Sequence, residues 1–283
     1  LAELERVELK AGLKLLLITV VMLPLLPDRG FGPWQALNPY QIWWMVVLIA
    51  AISFVGYFAM RIGGGRRGVM FTGLAAGLAS STALTLHFSR LARVQQDAGK
   101  ALAGGILLGS GTMFPRMLLV AGIVHLPLLQ LLWLPALSMM LIIYAAATVV
   151  LWQADVPEHD LHENINNPLE LRIALLFGLL LALVMLLGVT LREWLGDAGI
   201  WALAAASGIA DVDAINLSLA QMSKQGLAAP LAAAGIVLAA AVNTLVKAGM
   251  ATVIGGKVLL LHAGLPMLLA ALSGLGIIAW QMG

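Results

Sequence analysis

Apolar residues in this chain come in runs of about 18 or more, each as long as a helix needs to cross ~30 Å of hydrocarbon. The runs are continuous and do not alternate with polar residues, which excludes the strand pattern of a membrane β-barrel. Nine spanning helices follow: TM1 at 11–26, TM2 at 41–60, TM3 at 68–89, TM4 at 101–122, TM5 at 128–152, TM6 at 171–191, TM7 at 199–221, TM8 at 227–252 and TM9 at 258–281. Trp34, Tyr40, Trp43 and Trp44 form an interfacial cluster ahead of TM2. The predicted fold is all-α, a polytopic membrane helical bundle forming one domain over 1–283. Within it, 1–40 holds TM1 and the interfacial segment, 41–152 holds TM2–TM5, 153–170 is a polar loop, and 171–283 holds TM6–TM9.

Composition agrees with the pattern. The hydrophobic set makes up 61% of the 283 residues, charged residues only 11%, and mean hydropathy is +0.98. A soluble domain carries about a quarter charged residues, so this chain could not coat a globule in solvated side chains. A net charge of +2 gives no reason to expect nucleic acid. Without cysteine there are no disulfides, thiolate metal sites or Cys nucleophiles. Basic residues outside the membrane favour the side with Arg6, Lys10, Lys14, Arg61, Arg66, Arg67, Arg192 and Lys257 as cytoplasmic. The chain opens on Leu1 without the layout of a cleaved signal peptide, and a further N-terminal part is expected ahead of it.

Sliding the chain against itself reveals one ungapped register, an offset of 131 residues. It lays Ala75–Leu86 on Ala206–Leu217 and pairs Gly65 with Gly196, Gly68 with Gly199, Gly104 with Gly235, Pro135 with Pro266, and Arg116 with Lys247. Leu and Ala matches carry little weight in a membrane protein, but Gly, Pro and buried-polar matches in a single register do. TM2–TM5 then correspond to TM6–TM9, with TM1 left over. Four full crossings per copy make the copies parallel, whereas one re-entrant segment would invert them; both arrangements occur in transporters, whose sites lie at the repeat interface.

Of thirty Lys, Arg, Asp and Glu residues, only Asp211 and Asp213 in TM7, Lys247 in TM8 and Arg116 in TM4 fall at membrane depth. Each such group costs about 2.5–3.5 kcal/mol on insertion scales, so it persists mainly where it is paired or faces water. Two acids on one segment and Lys247 on the next form the natural pairing. The register places Ser80, Thr82 and Thr85 opposite Asp211, Asp213 and Asn216, with Ser81 beside them, and Thr112 opposite Asn243. On an unbroken helix Asp211 and Asp213 would point about 200° apart. Local unwinding at the upstream glycines Gly77 and Gly208 would let both acids and freed carbonyls converge, and irregular backbone is tolerated at that depth around a cavity. TM3 and TM7 are therefore expected to break within Gly77–Ser81 and Gly208–Val212. The competing account makes these polar residues interhelical glue and the glycines close-packing contacts.

Weaker signals remain. His87 sits near the end of TM3 and suits an interface better than a proton relay. The run Glu158–Glu163 has metal-friendly side chains, but a solvated acidic loop explains it as well. Gly63–Arg67 is a basic turn without the strand that a phosphate loop needs.

The segments Gly77–Thr85, Gly208–Ile215 and Ala241–Lys247, with Glu8–Lys14 and Leu26–Trp34, resemble the uncharacterised C-terminal membrane domain of bacterial MgtC/SapB-type proteins, over nearly the whole chain. The resemblance implies a bacterial inner-membrane protein, a small MgtC-like membrane domain ahead of it, and a loose link to Mg²⁺ homeostasis. It supplies no substrate.

The residues point to a transporter or channel for a small inorganic cation. Asp211 and Asp213 would be metal ligands, with oxygens from Asn216, Asn243, Ser80, Ser81, Thr82, Thr85 and Thr112 along the pathway. Mg²⁺ is favoured by the resemblance, while coupling to Na⁺ or H⁺ is allowed by the chemistry. The alternatives are an anion channel using Arg116 and Lys247, and a non-transporting membrane partner or regulator. An enzyme is not expected, since no His-Glu-x-x-His or Gly-x-Ser-x-Gly is present, and no cofactor is expected. Surfaces rich in small residues allow a homodimer.

Overall fold

A computed structural model of the chain describes residues 12–62, 68–154 and 171–283. The opening residues Glu3–Lys10, the turn Gly63–Arg67 and the run Glu158–Glu163 lie outside the described residues. Among the described residues the regular elements are helices, and the one extended pairing is a single bridge between Phe31 and Leu37.

The helices are α1 (Gly12–Leu25), α2 (Pro39–Ile62), α3 (Gly68–Val94), α4 (Gly99–Gly111), α5 (Met113–Val124), α6 (Leu129–Trp152), α7 (Leu171–Leu195), α8 (Asp197–Ala210), α9 (Asp213–Lys224), α10 (Ala229–Gly255) and α11 (Lys257–Met282). Five stretches are long and apolar enough to cross a membrane: Gln96–Val124, Leu126–Trp152, Ala174–Leu195, Ala229–Gly255 and Lys257–Met282. This is a helical membrane protein. Its outer faces are apolar, as on α7, where Leu175, Leu176, Leu179 and Leu183 recur at helical spacing and are exposed to the surroundings.

The interior is built around α10, which packs against α3, α8, α9 and α11. Close approach there depends on small residues. A Cβ on Gly77 would strike the backbone of Gly109 in α4, and one on Gly208 would strike the carbonyl oxygen of Ala239 in α10. Both glycines lie inside regular helix, so their role is close packing and they are not themselves the points of unwinding. Non-helical backbone comes three residues later in each case, at Ser80 (φ −162°, ψ 95°) and at Asp211 (φ −158°, ψ 145°).

TM4, read as one helix from sequence, is one span over Gln96–Val124 but loses a helical hydrogen bond at Thr112, between α4 and α5, where the dihedrals stay helical (φ −64°, ψ −18°). Pro115 accounts for this: proline lacks an N–H and clashes with the carbonyl four residues back, so it is tolerated only in a helix's first turn. The register places Val246 opposite Pro115, and α10 accordingly runs through without a break.

A candidate ion site between two interrupted helices

Each break restarts its helix with the same local device. Ser80 Oγ accepts the N–H of Ala83 at 3.3 Å, and Asp211 Oδ2 accepts the N–H of Ala214 at 3.1 Å. A helix start leaves its first amides without intrahelical partners, and a short polar side chain three residues upstream satisfies one of them. The bond and both its partners recur at the 131-residue offset. Carbonyls released by the second break are also recaptured: Asn243 Nδ2 donates to the Gly208 carbonyl at 2.9 Å. In continuous helix that carbonyl would have accepted from Val212, so Asn243 satisfies what the interruption left open.

The charged groups meet across the molecule and not within one half. Arg116 on α5 forms an ion pair with Asp213 at the start of α9, Nη2 to Oδ2 2.7 Å. Lys247 on α10, expected to pair with the acids of its own half, instead donates from Nζ to Ser81 Oγ on α3 at 2.7 Å. Met113 Sδ lies 3.9 Å from the same ammonium. Each half thus sends its base into the other half's interrupted helix. Tertiary packing overrode the sequence expectation here because α5 lies against α9, and α10 against α3. Arg116, Lys247, Asp211 and Asp213 are near enough to act on one another electrostatically.

The remaining candidates fall around this centre with different degrees of burial. Ser81, Thr85, Thr112, Asn216 and Asn243 are buried, Asp211 and Thr82 half-buried, and Ser80 exposed. Thr85 and Thr112 donate to carbonyls of their own helices, at Ser81 and Gly109, both at 2.8 Å. Asn216 Nδ2 donates to the Met117 carbonyl at 3.1 Å, which turns its Oδ1 away, and that oxygen is buried without a hydrogen-bond partner. His87 is exposed, with its ring tilted against Phe88. Among the described residues no group of three or more His, Asp or Glu side chains gathers as a metal site would require, so any cation ligands beyond the two aspartates must be neutral oxygens.

Sequence reasoning missed that α9 is enclosed on all sides. Every residue from Asp213 to Ser223 is buried although the helix carries Asp213, Asn216, Ser218, Gln221 and Ser223. Gln221 Nε2 reaches Gln41 Oε1 on α2 at 2.8 Å, and the hydroxyls of Ser218 and Ser223 lack hydrogen-bond partners. The signal was available, since α9 is a polar stretch within an otherwise apolar segment.

A polytopic helical protein with two interrupted helices, each met by a base from the other half of the chain, is the class that this fold and site define. The model of a family described as "Domain of unknown function (DUF4010)" matches residues 47–255, and the chain belongs to that family. A relative described as an uncharacterized protein, from Aquifex aeolicus (strain VF5), is 33% identical over 204 residues, covering 70% of this chain and 87% of its own. No solved structure matches the chain.

Proposed function

We propose that the protein is a bacterial inner-membrane transporter or channel for a small inorganic cation, with its site at the break between α8 and α9. The observation that carries this reading is Asn216 Oδ1, a fully buried acceptor without a donor, one helical turn from Asp213 and on the helix capped by Asp211. A buried, unsatisfied carbonyl-type oxygen costs about 1–3 kcal/mol, which a cation or a water in its shell would recover. Asp211 and Asp213 are balanced in charge by Arg116 and Lys247, so a cation that enters between the aspartates must displace a proton or one of the two bases. Mg²⁺, the ion that the resemblance to the MgtC/SapB membrane domain favours, would require Arg116 to release Asp213 before it could bind both carboxylates. That release is a natural coupling step, because it unlinks α5 from α9.

The proposed architecture is nine spans, with TM1 outside two copies of a four-helix unit. Three features support it: the breaks fall at one offset, their caps recur, and the contacts between halves pair equivalent elements, α2 with α7 and α6 with α11. With all four elements of each copy crossing, the copies run parallel, and an axis along the membrane normal brings both breaks to one depth.

Cation flux into proteoliposomes tests the function. The purified chain should carry Na⁺, H⁺ or Mg²⁺, and Asp211→Asn and Asp213→Asn should each abolish the flux in folded protein. Flux unchanged in both variants would defeat the cation site. Absence of any ion flux from folded wild-type protein would favour the regulatory-partner reading instead.

A further inference from the structure

The two breaks hold equivalent elements but unequal charge. At the second, the positive end of α9 and the guanidinium of Arg116 share a resident anion, the carboxylate of Asp213, 2.7 Å from Nη2. At the first, the helix segment that restarts after Ser80 and runs to Val94 presents the same positive end, and Lys247 stands where the register places Arg116. The position matching Asp213 is Thr82, which carries no charge.

Lys247 is 1% exposed. Of its three N–H donors, one is spent on Ser81 Oγ and one points at the Met113 thioether, a poor acceptor; among the described residues no carboxylate comes within 4.0 Å of its ammonium. Asp211 and Asp213 both act on it from farther away, Asp213 being held already by Arg116, and Arg116 itself repels it. The hydroxyl of Ser110, in the last turn of α4 just before Met113, is buried and without a partner. A buried ammonium beside a helix N-terminus, with donors to spare and, among the described residues, no carboxylate in contact, presents to a ligand what Arg116 and α9 present to Asp213.

We infer that the first break binds a small monovalent anion, of chloride or nitrate size, between Lys247 and the start of the Ser81–Val94 segment, in the place that Asp213 fills in the second. The hydroxyls of Ser81 and Thr82 and the first amides of that segment complete the donor set. The site is separate from the proposed cation site at α9: loss of cation flux in the aspartate variants leaves the anion site standing, and its own failure leaves the cation site untouched.

The test uses purified full-length chain in detergent, with radiolabelled chloride for binding and thermal unfolding in chloride, nitrate and gluconate salts at equal ionic strength. Wild-type protein should retain about one chloride per chain and melt several degrees higher in chloride or nitrate than in gluconate, since a ligand bound only by the folded state stabilises it. Lys247→Met should lower chloride affinity by roughly tenfold or more, the loss of one charge-assisted contact. Thr82→Asp, which supplies the missing carboxylate internally, should fold, lose chloride binding and melt identically in all three salts. Wild-type protein that retains no chloride and melts identically in the three salts overturns the inference, as does chloride binding left unchanged by Thr82→Asp.

Discussion

At Ser80 the backbone leaves helical geometry for one residue and α3 carries on, whereas at Asp211 the chain stops one helix and begins another two residues later. The cap is the same in both, a side-chain oxygen accepting the N–H three residues on. The neighbours differ. Beside Ser80 the segment's own groups, Ser81 and Thr82, are neutral hydroxyls, and Lys247 arrives from α10 to donate to Ser81. Around Asp211 the chain supplies two carboxylates, and the far half must send Arg116 to hold one of them. A hydroxyl can support a bend in apolar surroundings at little cost, while a buried carboxylate demands a partner. The acidic break is therefore tied to the rest of the molecule more tightly than the neutral one, and also carries the greater penalty if its tie is cut.

This contrast can be broken in four ways, from the largest effect to the smallest, each read as the change in unfolding free energy in mixed micelles. Arg116→Met leaves Asp213 buried without its ion pair and should cost about 3–5 kcal/mol, with Lys247→Met costing clearly less because Ser81 is neutral. Equal costs would mean that the two bases do the same work. Val246→Pro imposes on α10 the interruption that Pro115 imposes between α4 and α5; it should cost about 3 kcal/mol, because Val246 sits in mid-helix and Pro115 in a first turn. Asn243→Val strands the Gly208 carbonyl and should cost about 1–3 kcal/mol. Thr112→Val, at the matching position, should cost less, since Thr112 bonds only within its own turn. Finally, Ser80→Ala and Asp211→Ala each remove a helix cap worth about 1 kcal/mol, while Asp211→Asn should retain most of it. A loss much above that for Ser80→Ala would give the neutral break a role beyond capping.

The coarse fold was legible because a bilayer leaves the sequence little freedom. Spans must be long, apolar and helical to satisfy their backbone internally, so hydropathy alone places the observed helices to within a few residues at most ends. The interruptions were legible in part. A pair of aspartates two residues apart forces either a break or divergent side chains, and the breaks lie inside the expected stretches, at Ser80 and Asp211. The local loss of helical hydrogen bonding at Thr112 went unread although Pro115 announces it.

What a single strand of sequence could not fix was which base meets which acid. Neighbourhood along the chain favoured Lys247 with Asp213, but helix packing is set by which small-residue faces allow two backbones to approach, as at Gly77 with Gly109 and Gly208 with Ala239. Those contacts lay α3 on α4 and α8 on α10; in the resulting packing α5 meets α9 and α10 meets α3, and the charges follow the helices that carry them. The sequence by itself determined a membrane helical bundle and the stretches in which two of its helices yield, at Ser80 and Asp211. Only the tertiary structure decided that each half's base serves the other half's break, because long-range pairing depends on the summed contacts of whole helix faces and no local signal encodes it.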